Sequence, residues 1–265
     1  MWFTLVLVAT GCAAAGASDP NGGGDGGGGG GGGGHGADAY VPDAPPPDAC
    51  IDTDHDTICD AADQCPGMDD RIDVNANGVP DCKEQATRTI DVKKVGTNYW
   101  RGWQANVAGT THDTANDNTV TGAVGASLYN SYFVFSLVGF TASAITSVKL
   151  ELEMESYVSG DASESISVWD VTTPSATVET TGQNTTIYND LGGGMQYGSA
   201  TVTSASVSAT APVQFMLNAQ AATDVKAKLG AEFVVGCRLD VTPGYVRFSA
   251  TTEARIARIV VTYLP

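Results

Sequence analysis

Positive charge is what this chain most lacks. Thirteen Lys and Arg face 30 Asp and Glu, a formal charge of −17. Such a surface repels phosphate backbones and anionic headgroups, which excludes a nucleic-acid partner. Histidine is scarce too: the three are His35, His55 and His112, so imidazole chemistry has few candidates. No apolar run approaches the roughly 18 residues that span a bilayer, leaving a lipid anchor as the means of membrane attachment. There is no Gly-x-Ser-x-Gly elbow, and Gly192-Gly193-Gly194 has no following Lys, so a hydrolase nucleophile turn and a phosphate loop are both missing. His112-Asp113 sits among Thr and Asp residues as a solvated loop would. Glu151, Glu153 and Glu155 alternate on what reads as an exposed strand face, where charge serves solubility. Asn184-Thr185-Thr186 fits a glycosylation sequon without further support. The chain is expected not to be an enzyme.

What is present begins with an address. Trp2 to Ala9 is a short apolar segment, as in an export signal, and Ala9-Thr10-Gly11-Cys12 resembles a bacterial lipobox. That resemblance implies cleavage after residue 11, acylation of Cys12, and a place at the cell surface or outer membrane of a Gram-negative bacterium, or secretion. Residues 12–49 carry an unbroken glycine run, Gly26 to Gly34, then Val41 to Ala49 (VPDAPPPDA). This composition cannot bury apolar area, so it is expected to be a disordered, flexible linker that stiffens toward polyproline II.

Half of the acids lie before residue 85, and from Asp52 onward they are ordered. Asp52, Asp54, Asp56, Asp60 and Asp63 occupy positions 1, 3, 5, 9 and 12 of a loop; 21 residues later Asp73, Asn75, Asn77, Asp81 and Glu84 occupy the same positions. A chain wrapped around a hard cation needs this spacing: alternate side-chain oxygens early, a backbone carbonyl in the middle and a closing acid late. Calcium is the expected ion. Position 6 takes a left-handed turn, for which Gly78 is suited and Thr57 is not, so the first loop is expected to be richer in charge and more strained. Gln64-Cys65-Pro66-Gly67 stops any helix after the first loop, which excludes an EF-hand. Four cysteines, Cys50, Cys59, Cys65 and Cys82, crowd a segment with almost no apolar core, implying two disulfides and an oxidising compartment, with three pairings open. No Cys-x2-Cys pair supports zinc. Cys237, in an apolar run, reads as a buried thiol.

Cys50 to Glu84, with Asp52-Thr-Asp54-His-Asp56, Asp63-Gln64-Cys65-Pro66 and Asp73-Val-Asn75-Ala-Asn77-Gly78-Val-Pro80-Asp81-Cys82, resembles thrombospondin type 3 repeats, departing from them at His55 and Thr57. The resemblance implies an extracellular, calcium-binding spacer over residues 50–86 without regular secondary structure. It favours Cys65 with Cys82, leaving Cys50 with Cys59.

Residues 87–265 change to Thr, Ser, Val, Ala and aromatics. Val148 to Glu155 alternates apolar and charged residues, and Tyr132 to Leu137 is nearly all apolar, as a strand covered on both faces would be. Further strands are expected at Thr89–Lys94, Ser165–Val171, Ser199–Val202, Val213–Leu217, Glu232–Leu239, Tyr245–Ser249 and Arg255–Tyr263, and one helix at Ala219–Leu229, capped by Asn218 and ended by Gly230. The fold class is all-β, an antiparallel, jelly-roll-like sandwich with one short helix. Tyr132-Phe133-Val134-Phe135 and Ile145-Thr146-Ser147-Val148-Lys149-Leu150-Glu151-Leu152 are similar to the DNRLRE-type extracellular sandwiches related to carbohydrate-binding modules. That likeness carries over structure and no catalytic residues.

Tyr99, Trp100, Arg101 and Trp103 lie in a polar, Asn-rich stretch outside the alternation. They have two readings: a surface on which sugar rings stack, or, preferred for the tryptophans, a plug at one end of the sandwich. The function read from all this is a non-catalytic, calcium-stiffened surface lipoprotein whose sandwich binds an extracellular glycan or a surface protein. The competing reading is a purely structural envelope component that self-associates.

Overall fold

The computed structural model describes residues 51–107, 117–208, 210–240, 243–249 and 255–265, all within one compact unit, Cys50–Pro265. Cys12, the glycine run, Cys50 and His112 lie outside the described residues. A single turn, α1 (Asp81–Glu84), precedes β1 (Ala86–Asp91), β2 (Lys94–Val95), β3 (Asn98–Tyr99), β4 (Arg101–Ala105), β5 (Thr119–Val124), β6 (Ser127–Ser136), β7 (Ala144–Leu152), β8 (Ser156–Val158) and β9 (Glu164–Asp170). Helices α2 (Ser175–Thr180) and α3 (Thr185–Leu191) follow. Then come β10 (Gln196–Val202), β11 (Val213–Leu217), α4 (Ala219–Ala227), β12 (Glu232–Leu239), β13 (Tyr245–Ser249) and β14 (Ala257–Leu264).

The strands pair antiparallel into the two layers of a β-sandwich. One sheet has the order β1-β14-β7-β11; the other runs β10-β9-β12-β6-β5-β13-β8, with β4 also on β6, and β2 and β3 form a small hairpin. The fold class expected from the alternation is therefore the one found. β6 shows why. Phe133 and Phe135 face the opposite sheet and are fully buried, while Tyr132 and Val134 point the other way and are buried just as completely. The outer side is covered by Val178 of α2 and by Ile187 and Leu191 of α3. Each such side chain contributes about 1.5–3 kcal/mol on burial, so an unbroken apolar run is stable only where both faces are sealed.

The helices have local causes. The Asn218 side chain accepts from the Ala221 N–H at 3.1 Å and starts α4 as expected, and Gly230 takes a φ of 81° just beyond its end. Two shorter helices, α2 and α3, join it. Asn184, which the sequence offers as a sequon, is the cap of α3, accepting from Thr186 N at 2.9 Å and Ile187 N at 3.3 Å. α3 seats on the sheet because β12 carries Gly236 there: a Cβ at that position would lie 2.0 Å from the Leu191 carbonyl oxygen.

One sequence expectation is overturned. Glu151 and Glu153 are not on an exposed face; they are 4% and 5% exposed. β7 is an inner strand, between β14 and β11, so long side chains from its neighbours close over it. Glu151 meets Lys149 Nζ at 2.7 Å and Arg258 Nε at 2.7 Å, and Glu153 meets Arg255 Nη1 at 2.9 Å. Burial alone would push the Glu151 carboxyl up, but the two cations outweigh it and hold the group below the usual range. No helix among the described residues is long and apolar enough to cross a membrane.

Candidate functional site

The two acidic turns repeat in geometry as well as in residue type. Asp60 N donates to Ile51 O at 2.7 Å, and Asp81 N to Ile72 O at 2.8 Å. Thr53 N donates to Asp60 Oδ1 at 2.8 Å, and Val74 N to Asp81 Oδ1 at 3.0 Å. Thr57 N and Gly78 N reach Oδ2 of Asp52 and Asp73 at 2.9 and 2.7 Å. Ile58 N and Val79 N reach Oδ1 of Asp56 and Asn77 at 2.7 and 2.8 Å. Positions 4 and 6 are left-handed in both turns: His55 and Thr57 have φ of 65° and 77°, Ala76 and Gly78 of 55° and 87°. Thr57 is β-branched, so the first turn carries a backbone strain that Gly78 spares the second.

The turns differ in how their oxygens are satisfied. In the second, Glu84 closes back on positions 3 and 5, accepting from Asn75 Nδ2 at 2.8 Å and Asn77 Nδ2 at 2.6 Å. In the first, carboxylate oxygens of Asp52, Asp54 and Asp56 lie within 4.8 Å of one another, and Asp54 Oδ2 is buried without a hydrogen-bond partner. Desolvation and the charges of Asp54, Asp70 and Asp56 push the Asp63 carboxyl up, against the Cys65 N–H it accepts at 2.5 Å. Desolvation would also raise Asp52, but the Thr57, His55 and Asp56 N–H groups hold it below the ordinary range. The nearby Arg71 is spent on Asp69, Nη2 to Oδ2 at 2.8 Å. An oxygen-only set of this kind, with unmatched buried carboxylate, fits a hard divalent cation. The segment is stapled by Cys65–Cys82, the pairing the resemblance favours, with Cα atoms 5.9 Å apart. Cys59 is disulfide-bonded as well, and Cys237 is a free, buried thiol whose pKa burial pushes up to about 12.

The aromatic candidates do not form a common surface. Arg101 and Trp103 are 1% and 8% exposed, because their stretch is a strand, β4, laid against β6 and not a loop. Arg101 reaches Asp117 O at 3.2 Å, Ser249 Oγ at 3.0 Å and Arg255 O at 3.4 Å. Trp103 donates to Asn118 Oδ1 at 2.9 Å and meets Tyr129 edge to face at 5.0 Å. Tyr99 and Trp100 are half-buried, with Arg101 4.7 Å and Lys93 3.0 Å from their ring centres. The plug reading describes Trp103, and a sugar-stacking set built on these four residues is not available.

The sequence did not point to a cleft that opens elsewhere, about 730 Å³ in volume, between the end of β9, the segment 171–175, α4 and β12. Its floor holds Tyr197 and Phe233, stacked at 6.1 Å. Tyr197 Oη donates to Asp224 Oδ2 at 2.7 Å, and desolvation together with that carboxylate pushes the phenol pKa up. Asp170 stands on the same wall and accepts from Met195 N at 2.7 Å. Glu232 holds Lys93 and the Ser175 hydroxyl; burial opposes its ionisation, but these partners keep its pKa low. The volume falls within the range of small-ligand sites, roughly 300–1,000 Å³, and the lining mixes apolar floor with fixed polar groups. These residues are dispersed from 138 to 234, and only strand pairing gathers them.

No protein-family model matches the chain. Over 58 residues it is 40% identical to outer membrane porin F of Pseudomonas aeruginosa, a stretch that is 22% of this chain and 17% of that protein. Among solved structures, the xylan-binding module CBM15 aligns with 67% of this chain and 97% of its own length, at 11% identity and a TM-score of 0.28.

Proposed function

We propose that this protein is an exported, non-catalytic binding module in which calcium stiffens two acidic turns and the β-sandwich behind them takes up an extracellular saccharide. One observation carries the calcium part: at an offset of 21 residues the turns repeat their hydrogen bonds and left-handed positions along with their oxygen side chains. Asp52, Asp54, Asp56 and Asp63 would hold one ion, and Asp73, Asn75, Asn77 and Glu84 the other, with Asp60 and Asp81 bracing the turns. Bound calcium would neutralise carboxylates that otherwise repel one another and would fix a segment with too little apolar surface to order itself. The disulfides and the 58-residue likeness to an outer membrane porin support life in the envelope, and Cys12 is our candidate for a lipid anchor there.

For the sandwich, the cleft beside α4 is the site we favour. Its carboxylates make charge-assisted hydrogen bonds with hydroxyl groups, and Phe233 with Val171 offers an apolar floor. The cleft's own acids, Asp170, Asp224 and Glu232, disfavour anionic polysaccharide, so the ligand is a neutral glycan. A glycan array probed with the wild-type chain and with Asp224→Asn tests this. Binding to neutral saccharides that the substitution abolishes is expected; no saccharide bound by either, or equal binding by both, retires the cleft as a sugar site.

A further inference from the structure

We infer that Asp70, which stands outside both repeats, is an additional ligand of the first turn's cation and ties that ion to the start of the second turn. The inference rests on the calcium reading above. Asp70 is 8% exposed. Its Oδ2 accepts from Gln64 N at 2.9 Å, but its Oδ1 is buried without a hydrogen-bond partner. A buried carboxyl oxygen left without a hydrogen-bond partner is costly unless a cation meets it. Arg71 cannot serve, being exposed and paired with Asp69. The unmet oxygen instead has like company: Asp70 N donates to Asp56 Oδ2 at 2.9 Å, which holds Asp70 against position 5 of the first turn, and the other buried orphan of this segment is Asp54 Oδ2.

A hard divalent ion meets both orphaned oxygens, Asp54 Oδ2 and Asp70 Oδ1, since calcium accepts six to eight oxygens and a turn of this kind leaves room in its shell. The second turn has no equivalent. The residue 21 further on, Asp91, is exposed on β1. Asp70 is three residues ahead of Asp73, and its carboxylate lies within 4.8 Å of both sulfurs of the Cys65–Cys82 bridge. An ion held by Asp70 therefore fixes the point from which the second turn departs.

The test uses the full chain with its disulfides verified by mass. Chelator-stripped protein is titrated with calcium by calorimetry, and ions are counted by native mass spectrometry, for wild type, Asp70→Asn and Asp69→Asn. Asparagine keeps an acceptor for Gln64 N–H and loses only charge, and Asp69→Asn removes the same charge from an exposed ion pair nearby. Two ions are expected in the wild type. Asp70→Asn should weaken one of them by at least about tenfold and leave the other within about twofold, while Asp69→Asn changes neither. Equal weakening by both variants, or none by Asp70→Asn, overturns the role of Asp70. A wild-type chain that takes up no calcium overturns the underlying reading instead.

Discussion

Glu179 offers a sharp test of how the helices seat on the large sheet. It lies on α2, is 4% exposed, and accepts a 2.8 Å hydrogen bond from Tyr132 Oη. Desolvation pushes its carboxyl up to about 7 from an ordinary 4.5; the Tyr132 hydroxyl and Lys93 oppose the rise and Asp117 adds to it. The sign follows from linkage. Between those two values the native state holds a proton that the unfolded chain has released, so stability falls as pH rises through this window and levels off above it. The slope is about 1.4 kcal/mol per pH unit at its steepest, and the loss between pH 5 and pH 7 comes to about 2 kcal/mol. Glu179→Gln keeps the acceptor for Tyr132 and cannot titrate. Urea unfolding of both proteins at these two pH values, with chelator present so that the acidic turns contribute alike, isolates the effect. The stability of the variant relative to wild type is expected to improve by about 2 kcal/mol from pH 5 to pH 7. Parallel stabilities across that range would show that the carboxyl is not held in a dry site, and α2 would then not cover Tyr132 as described.

Two further substitutions probe packing. Gly236→Ala places a methyl group 2.0 Å from the Leu191 carbonyl, so α3 must lift; a loss of about 1–3 kcal/mol in urea unfolding is expected, and an unchanged midpoint would contradict the close seating of α3 on β12. Trp103→Ala removes a ring that is 8% exposed and should cost about 3–5 kcal/mol, with saccharide binding by the remaining folded protein unaffected. Stability retained with binding lost would restore the stacking surface that β4 rules out.

Some of this molecule is legible residue by residue because its causes are local. Each acidic turn is closed by bonds among neighbours, such as Gly78 N to Asp73 Oδ2 at 2.7 Å, so the spacing alone announces it. The same holds for the Asn218 cap, and for β6, whose unbroken apolar run required cover on both faces. Other features depend on which strands stand side by side, and no spacing encodes that. Glu151 and Glu153 alternate like surface charges, yet β14 and β11 flank their strand and bring Arg258 and Gln214 over it. Trp103 looks unassigned until β4 pairs with β6. Asp70 looks like one more acid in an acidic stretch, and only the approach of Asp56 from 14 residues earlier removes it from water. The cleft beside α4 draws on residues 138 to 234. Short-range geometry, written along the chain, determined the turns, the strands and the helix cap; burial, which depends on neighbours distant in sequence, was decided by the tertiary structure alone.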